Sequence, residues 1–310
     1  MKARRLVPVA ATLFVLAALV TVTAAPQQES TDAYTSQMTW REIGPVNMSG
    51  RISDIEALDA DFTHVVLASA SGGVFKSTNA GTTWTPIFAD YGAASIGDVA
   101  IFQPDPDILW VGTGEECIRN TVSWGDGLYK STDGGETFTK VGLENSYTIA
   151  AIVTHPTDPD TVWVAAGGMA WGYGGDRGIY KTTDGGRNWR KLTNGLPDNE
   201  ITGASDLVID PGNPDVLYAG MWDRLRQPNA LNSGGPNSGV YRTTDGGDSW
   251  QRLTDGLPEG DIGKVGVAVA RSNPDVVMAF VEHGFQPPER LEDGSPNPDF
   301  EDMSQLGTGI

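Results

Sequence analysis

From Ile52 to Val281 the apolar residues fall in short runs, each closed by glycine, proline, asparagine or aspartate. This is the pattern of many brief strands joined by tight turns rather than of long helices. One kind of run recurs behind a Pro-Asp turn: Pro106-Asp107-Ile108-Leu109-Trp110-Val111, Pro159-Asp160-Thr161-Val162-Trp163-Val164, Pro214-Asp215-Val216-Leu217-Tyr218 and Pro274-Asp275-Val276-Val277-Met278. A divergent first copy is Asp61-Phe62-Thr63-His64-Val65-Val66-Leu67. The one long apolar run, Leu6 to Val22, follows Lys2, Arg4 and Arg5 and precedes the small residues Val22-Thr23-Ala24. That three-part order predicts an export signal over 1–24, cleaved after Ala24 or Ala25, and a linker over 25–39. The competing reading is an uncleaved N-terminal anchor, because the run is at the lower limit for spanning a bilayer.

A second motif alternates with the Pro-Asp strands. It is Gly-Val-Phe-Lys-Ser-Thr-Asn-Ala-Gly-Thr-Thr-Trp from Gly73 to Trp84, and recurs from Gly127 to Phe138, Gly178 to Trp189 and Gly239 to Trp250. The central residues Asn79, Asp133, Asp184 and Asp245 are 54, 51 and 61 residues apart. Each repeat therefore holds about four strands, the size of one propeller blade. The motif explains itself as a hairpin. Gly134-Gly135, Gly185-Gly186 and Gly246-Gly247 supply positive φ, the preceding aspartate accepts turn N–H groups, and Trp84, Phe138, Trp189 or Trp250 packs beneath. These residues are expected to be structural, not catalytic or calcium-binding.

Charge and composition narrow the partners. The chain carries a net −19, which becomes −22 once the three basic residues of the signal are removed. Such a surface repels phosphate backbones and argues against nucleic acid. No glycine-rich phosphate loop ending in Lys-Ser or Lys-Thr is present, and after signal removal no membrane contact is expected. Cys117 is the only cysteine, so no internal disulfide forms. His64, His155 and His283 lack metal-ligand spacing, and the sequence calls for no metal and no cofactor.

The boxes resemble the Asp-box, or BNR, repeat of sialidases, sortilin-type receptors and xyloglucan-degrading propellers. Trp40-Arg41-Glu42-Ile43-Gly44-Pro45, Gly50-Arg51-Ile52, Gly112-Thr113-Gly114-Glu115, Trp124-Gly125-Asp126-Gly127 and Asn232-Ser233-Gly234-Gly235-Pro236 are similar to segments of large secreted bacterial proteins. Those proteins are of the sortilin N-terminal-like, glycosyl hydrolase-like kind. The resemblance implies an all-β propeller of four-stranded blades over 40–310, incomplete in this chain: four boxes and a truncated fifth. Gly309-Ile310 repeats the Gly-aliphatic pair that opens each box, which leaves two readings, continuation of the same chain or closure by self-association.

If each blade runs outward from the channel, Pro-Asp turns and boxes share one face, and the loops between second and third strands share the other, around the channel mouth. Those loops are 115–126, 167–177 and 221–238. They hold the ligand-binding candidates Arg119, Trp124, Trp171, Tyr173, Arg177, Trp222, Asp223, Arg224 and Arg226, with Arg51 approaching the same mouth. Aromatics, carboxylates and arginines together suit a glycan, a peptide or a secreted protein. The leading expectation is binding at this mouth without cleavage. The alternative is a glycoside hydrolase using two of Glu115, Glu116, Asp126 and Asp176. Two departures weigh against that alternative. Ala68-Ser69-Ala70-Ser71-Gly72-Gly73 lacks the acid that xyloglucan-degrading propellers carry there, and Arg51-Ile52-Ser53 only partly echoes the sialidase Arg-Ile-Pro motif.

Overall fold

The computed structural model describes residues 51–117, 119–283 and Ser295. The expected signal, the linker, Trp40-Arg41-Glu42-Ile43-Gly44-Pro45 and Gly309-Ile310 lie outside the described residues. Those described form an all-β propeller with no helix among them. The first blade pairs β1 (Ile52–Leu58), β2 (Asp61–Ser69), β3 (Gly73–Ser77) and β4 (Thr85–Pro86) in sequence order. The second is β5 (Ile96–Ile101), β6 (Leu109–Thr113), β7 (Leu128–Ser131) and β8 (Thr139–Gly142). The third is β9 (Ile149–Thr154), β10 (Val162–Ala166), β11 (Gly178–Thr182) and β12 (Arg190–Leu192). In the fourth, β13 (Thr202–Asp210) and a long β14 (Asn213–Gln227) pair with β16 (Gly239–Thr243) and β17 (Gln251–Leu253), while β15 (Ala230–Ser233) folds back on the end of β14. A fifth sheet has two strands, β18 (Val265–Val269) and β19 (Val277–Val281). All neighbouring strands are antiparallel.

The first strands β1, β5, β9, β13 and β18 stand side by side in that order. Apolar cores lie between consecutive blades, not inside one. Val66, Val74, Phe88, Val99 and Val111 pack between the first and second. Trp110, Ile149 and Val164 fill the next layer, then Trp163, Leu207 and Leu217. Trp110 and Trp163 are fully buried, and truncating either to alanine removes roughly 3–5 kcal/mol.

Each of the first four inner strands carries an irregularity just before its midpoint, shifting register at Ile52/Asp54, Ile96/Asp98, Ala165/Ala166 (opposite Ile149 and Ala151) and Ala204/Asp206. The residue after the bulge faces the neighbouring inner strand. The Asp54 carboxylate accepts from the Val99 N–H at 3.3 Å, Asp98 from Ile152 N–H at 2.7 Å, and Asp206 from Val267 N–H at 2.8 Å. Inner strands are not hydrogen-bonded to each other as ladders, so these carboxylates satisfy exposed donors and link blade to blade. Gly97 shows how tight this line is: a Cβ there would lie 1.9 Å from the Ile149 carbonyl oxygen. In the third blade Ala151 occupies the aspartate position, and the Leu207 N–H donates to Asp206 Oδ1 at 2.8 Å.

The boxes repeat one hydrogen-bond set. Asp133 Oδ1 accepts from Ser131 Oγ at 2.7 Å and from the Thr137 N–H at 2.9 Å, and the Ser131 hydroxyl accepts from the Gly135 N–H at 2.9 Å. Thr182, Asp184 and Asn188 repeat it, as do Thr243, Asp245 and Ser249. The glycine pairs have positive φ, from 67° to 98°. Each box meets its own Pro-Asp turn: Gly134, Gly185 and Gly246 donate their N–H to the carbonyls of Asp107, Asp160 and Asp215, all at 2.9 Å. Boxes and Pro-Asp turns therefore share a face.

Candidate functional site

The opposite face is built from the loop between β6 and β7, the loop between β10 and β11, and the β14–β15 hairpin. These loops meet the links that lead into the next inner strand. Gly125 donates its N–H to Tyr147 O at 2.8 Å, and Asp176 donates to Asn145 O at 2.8 Å. Below them a cavity of about 700 Å³ runs among the inner strands, lined by Asp54, Asp98, Asp206, Glu115, Glu116 and Lys264.

Two buried carboxylates stand at its rim. Glu115 forms a fork with Arg51, whose Nε donates at 2.7 Å and whose Nη2 also reaches it. Glu116 receives Lys264 Nζ at 2.5 Å and faces Arg224 Nη1 at 3.6 Å. Burial works against the Lys264 charge, yet the Glu116 carboxylate beside it leaves the ammonium above its usual range. Both acids are thus held in ion pairs. Asp126 turns toward its own blade, accepting from Lys140 Nζ at 2.6 Å and Tyr129 OH at 2.8 Å. Partial burial opposes its charge, but these two donors and the lysine charge hold the carboxyl below the usual range. Asp176 is half-buried on the loop that ends at Arg177.

The arginines divide by burial. Arg177, 1% exposed, sends Nε to Gly174 O at 2.8 Å, Nη1 to Gly167 O at 3.0 Å and Ile201 O at 3.2 Å, and Nη2 to Met169 O and to Gly172 O at 2.9 Å. Burial, with Arg224 nearby, lowers its pKa to about 10. Arg224, also 1% exposed, bonds Thr148 Oγ1 at 2.6 Å, Gly168 O at 3.2 Å and Glu116 O at 3.3 Å. Asp223 is buried against the Thr202 hydroxyl and the Asn237 N–H, and Trp222 is buried with Nε1 on Ser233 Oγ at 3.1 Å. Arg177, Asp223 and Trp222 have their polar groups occupied inside the protein, as does Arg224 apart from its buried Nε–H, which has no partner among the described residues. The segment expected as loop 221–238 is largely a strand hairpin, because Arg224, Leu225, Arg226 and Gln227 pair with Ser233, Asn232, Leu231 and Ala230.

What remains open to solvent is aromatic. Trp124 is 63% exposed, Trp171 39% and Tyr173 63%. Trp124 and Trp171 border one small apolar recess with Val122, Tyr147 and Met169. Trp124 meets Tyr147 with ring centroids 5.8 Å apart, and the Arg226 guanidinium lies 5.8 Å from the Trp171 ring while bonding Asn120. Arg119 is exposed on the same loop as Trp124. Three groups escaped sequence reasoning. Tyr147 and Met169 carry no motif, and Lys264 is 148 residues from its partner Glu116. The channel acids escaped as well. Asp98 is pushed well above the usual carboxylate range by burial and then by Asp54, and burial raises Glu56 to about 7.

Comparison with known proteins agrees with this architecture. The chain is 24% identical over 232 residues to the oligoxyloglucan-reducing end-specific xyloglucanase of Emericella nidulans, covering 68% of this chain and 25% of that protein. It is 30% identical over 201 residues to the dispase autolysis-inducing protein of Streptomyces mobaraensis, covering 61% and 51%. The crystal structure of an ancestral GH74 enzyme superposes with a TM-score of 0.57 at 24% identity, covering 75% of this chain and 27% of the other, which shows a shared fold. The chain thus spans about a quarter of the length of the xyloglucanase it matches. The Sortilin-Vps10 family model, described by sortilin and neurotensin receptor 3, matches residues 126–280, which is 155 of the 310. On that match, together with its blades and boxes, the chain belongs to the Sortilin-Vps10 family.

Proposed function

We propose that this chain carries the glycan-binding face of an exported glycoside hydrolase acting on a polysaccharide. The observation behind this is the exposed group Trp124, Trp171 and Tyr173 at the channel mouth, on loops fixed by buried arginines. A pyranose ring presents an apolar C–H face and a rim of hydroxyls. Rigid aromatic planes flanked by Arg226 and Arg119 suit both, at little entropic cost. The xyloglucanase relatives move the balance from binding alone toward hydrolysis. In this reading Glu115 and Glu116, each paired with a cation, are the carboxylates at the rim placed to act as base or nucleophile.

The family match to a neurotensin receptor motivates one rival reading, a peptide bound at the same mouth. Titration of the protein with xyloglucan oligosaccharides and with a peptide panel separates them. Glycan affinity lost in Trp171→Ala supports the proposal. Peptide binding alone, with that same sensitivity, replaces it by the receptor reading. Release of reducing ends from xyloglucan, abolished in Glu115→Gln or Glu116→Gln, would add catalysis to binding.

A further inference from the structure

The recess between Trp124 and Trp171 has a chemistry of its own. It holds about 40 Å³, and no polar atom of its walls faces it. The three segments that form those walls do carry polar atoms, but these are engaged elsewhere. Ser95 Oγ donates to Ser123 O at 2.9 Å, Arg224 Nη2 to Thr148 Oγ1 at 2.6 Å, and the Arg226 N–H to Ala170 O at 2.8 Å. A water in the recess would find none of the partners it needs, so the space favours an apolar group of about a water's volume, ~30 Å³. A hydroxyl placed there would lose its hydrogen bonds to solvent without replacement.

The walls are also held apart. Gly125 donates its N–H to Tyr147 O at 2.8 Å, which ties the first segment to the second. On the third, Arg177 Nη2 bonds the carbonyls of Met169 and Gly172, on either side of Trp171. A preformed recess costs a ligand little to enter.

One cation stands beside it. The Arg226 guanidinium lies 5.8 Å from the Trp171 ring, and the hydrogen bond of this side chain among the described residues runs from Nη2 to Asn120. Its buried Nε–H has no partner among the described residues, and the residue is partly exposed. An apolar pit with a cationic donor at its lip suits a group that joins a methyl to an oxygen acceptor. On a carbohydrate that group is an acetyl substituent. A deoxy sugar supplies the methyl without the carbonyl, and a free hydroxyl supplies no apolar volume.

We infer that this recess is an acetyl subsite, and that the glycan received at the mouth is one bearing acetyl groups. The methyl sits between Trp124 and Trp171, and the carbonyl oxygen accepts from the Arg226 guanidinium. The inference rests on the reading of the mouth as a glycan site. N-acetyl and O-acetyl groups present the same methyl and carbonyl, and the test separates these two sources.

Calorimetric titration compares two pairs of ligands that differ in acetylation. One pair is tetra-N-acetylchitotetraose and cellotetraose, in which a hydroxyl replaces each N-acetyl group. The other is an O-acetylated xyloglucan oligosaccharide and its saponified form. In at least one pair the acetylated member should bind about ten-fold or more tightly than its partner, the discrimination that one methyl-sized group in an apolar pocket confers. Val122→Phe fills the recess, and Arg226→Met keeps the stem while removing the donor. Each should bring that ratio close to one, in protein whose Tm matches the parent. Equal affinity within both pairs overturns the inference and leaves the glycan reading standing. A ratio unchanged in Val122→Phe places the preference elsewhere and overturns it too. Failure of all the ligands to bind refutes both readings.

Discussion

The two faces of this propeller are built on opposite principles. On the box face, one set of hydrogen bonds recurs blade after blade, with exposed aspartates whose partners are hydroxyls and turn N–H groups. On the mouth face no two blades are alike: one uses a Glu115–Arg51 fork, the next an Arg177 surrounded by carbonyls, the next an Arg224 that reaches across to two earlier blades. Repetition serves the scaffold, because every blade must solve the same turn. Departure from repetition marks the region free to acquire a ligand.

The largest effect that can break this contrast is at Arg177. Replacing it with methionine leaves the carbonyls of Gly167, Met169, Gly172, Gly174 and Ile201 without their donor. A loss of about 3 kcal/mol or more in unfolding free energy is expected, read by denaturant titration, together with loss of glycan affinity as the loop bearing Trp171 relaxes. Trp171→Ala is expected to keep the parent Tm within about 2 °C while weakening oligosaccharide binding about ten-fold, because that ring is partly exposed and removes contact area, not core. A Tm drop as large as that of Arg177→Met would mean the mouth aromatics are structural.

Acidity separates the faces by sign. Channel acids have folded pKa values above their unfolded ones, so their contribution is fully present below the unfolded value, near 4.5 for Glu56, and is lost as pH rises through about 7. Box aspartates are the reverse. Hydrogen bonds from Thr137 and Asn188 lower Asp133 and Asp184 to about 2, so their contribution is present above 3.8 and is lost as pH falls from there through about 2. Thermal unfolding should therefore give a higher Tm at pH 5 than at pH 8, with a decline below about pH 4. A Tm that rises steadily from pH 5 to pH 8 would contradict the channel half of this statement. The smallest effect is expected for Asp184→Ala: a lower Tm with oligosaccharide affinity of the folded protein unchanged.

The scaffold was legible in the sequence because its cause is local. Positive φ at Gly-Gly, a hydroxyl two residues before the aspartate and an aromatic five residues after it all lie within one turn of chain. The interval between boxes then fixes blade size. The mouth was half legible. Trp124, Trp171 and Tyr173 stand exposed on the expected loops, but Arg177, Arg224 and Asp223 look the same in sequence as surface charges and are buried only through carbonyls and hydroxyls from other blades. The channel acids were not legible. Asp54, Asp98 and Asp206 reach the neighbouring strand through bulges at Ser53, Gly97 and Ser205, where a one-residue offset changes the face a side chain takes.

The measurement that bears most directly on the central claim is calorimetric titration of the protein with a xyloglucan oligosaccharide, repeated with Trp124→Ala and Trp171→Ala variants whose Tm matches the parent. The account predicts saturable binding in the parent and at least ten-fold weaker binding in each variant. Parent-level affinity in both variants, or no glycan binding while a peptide is retained at the same mouth, would contradict it.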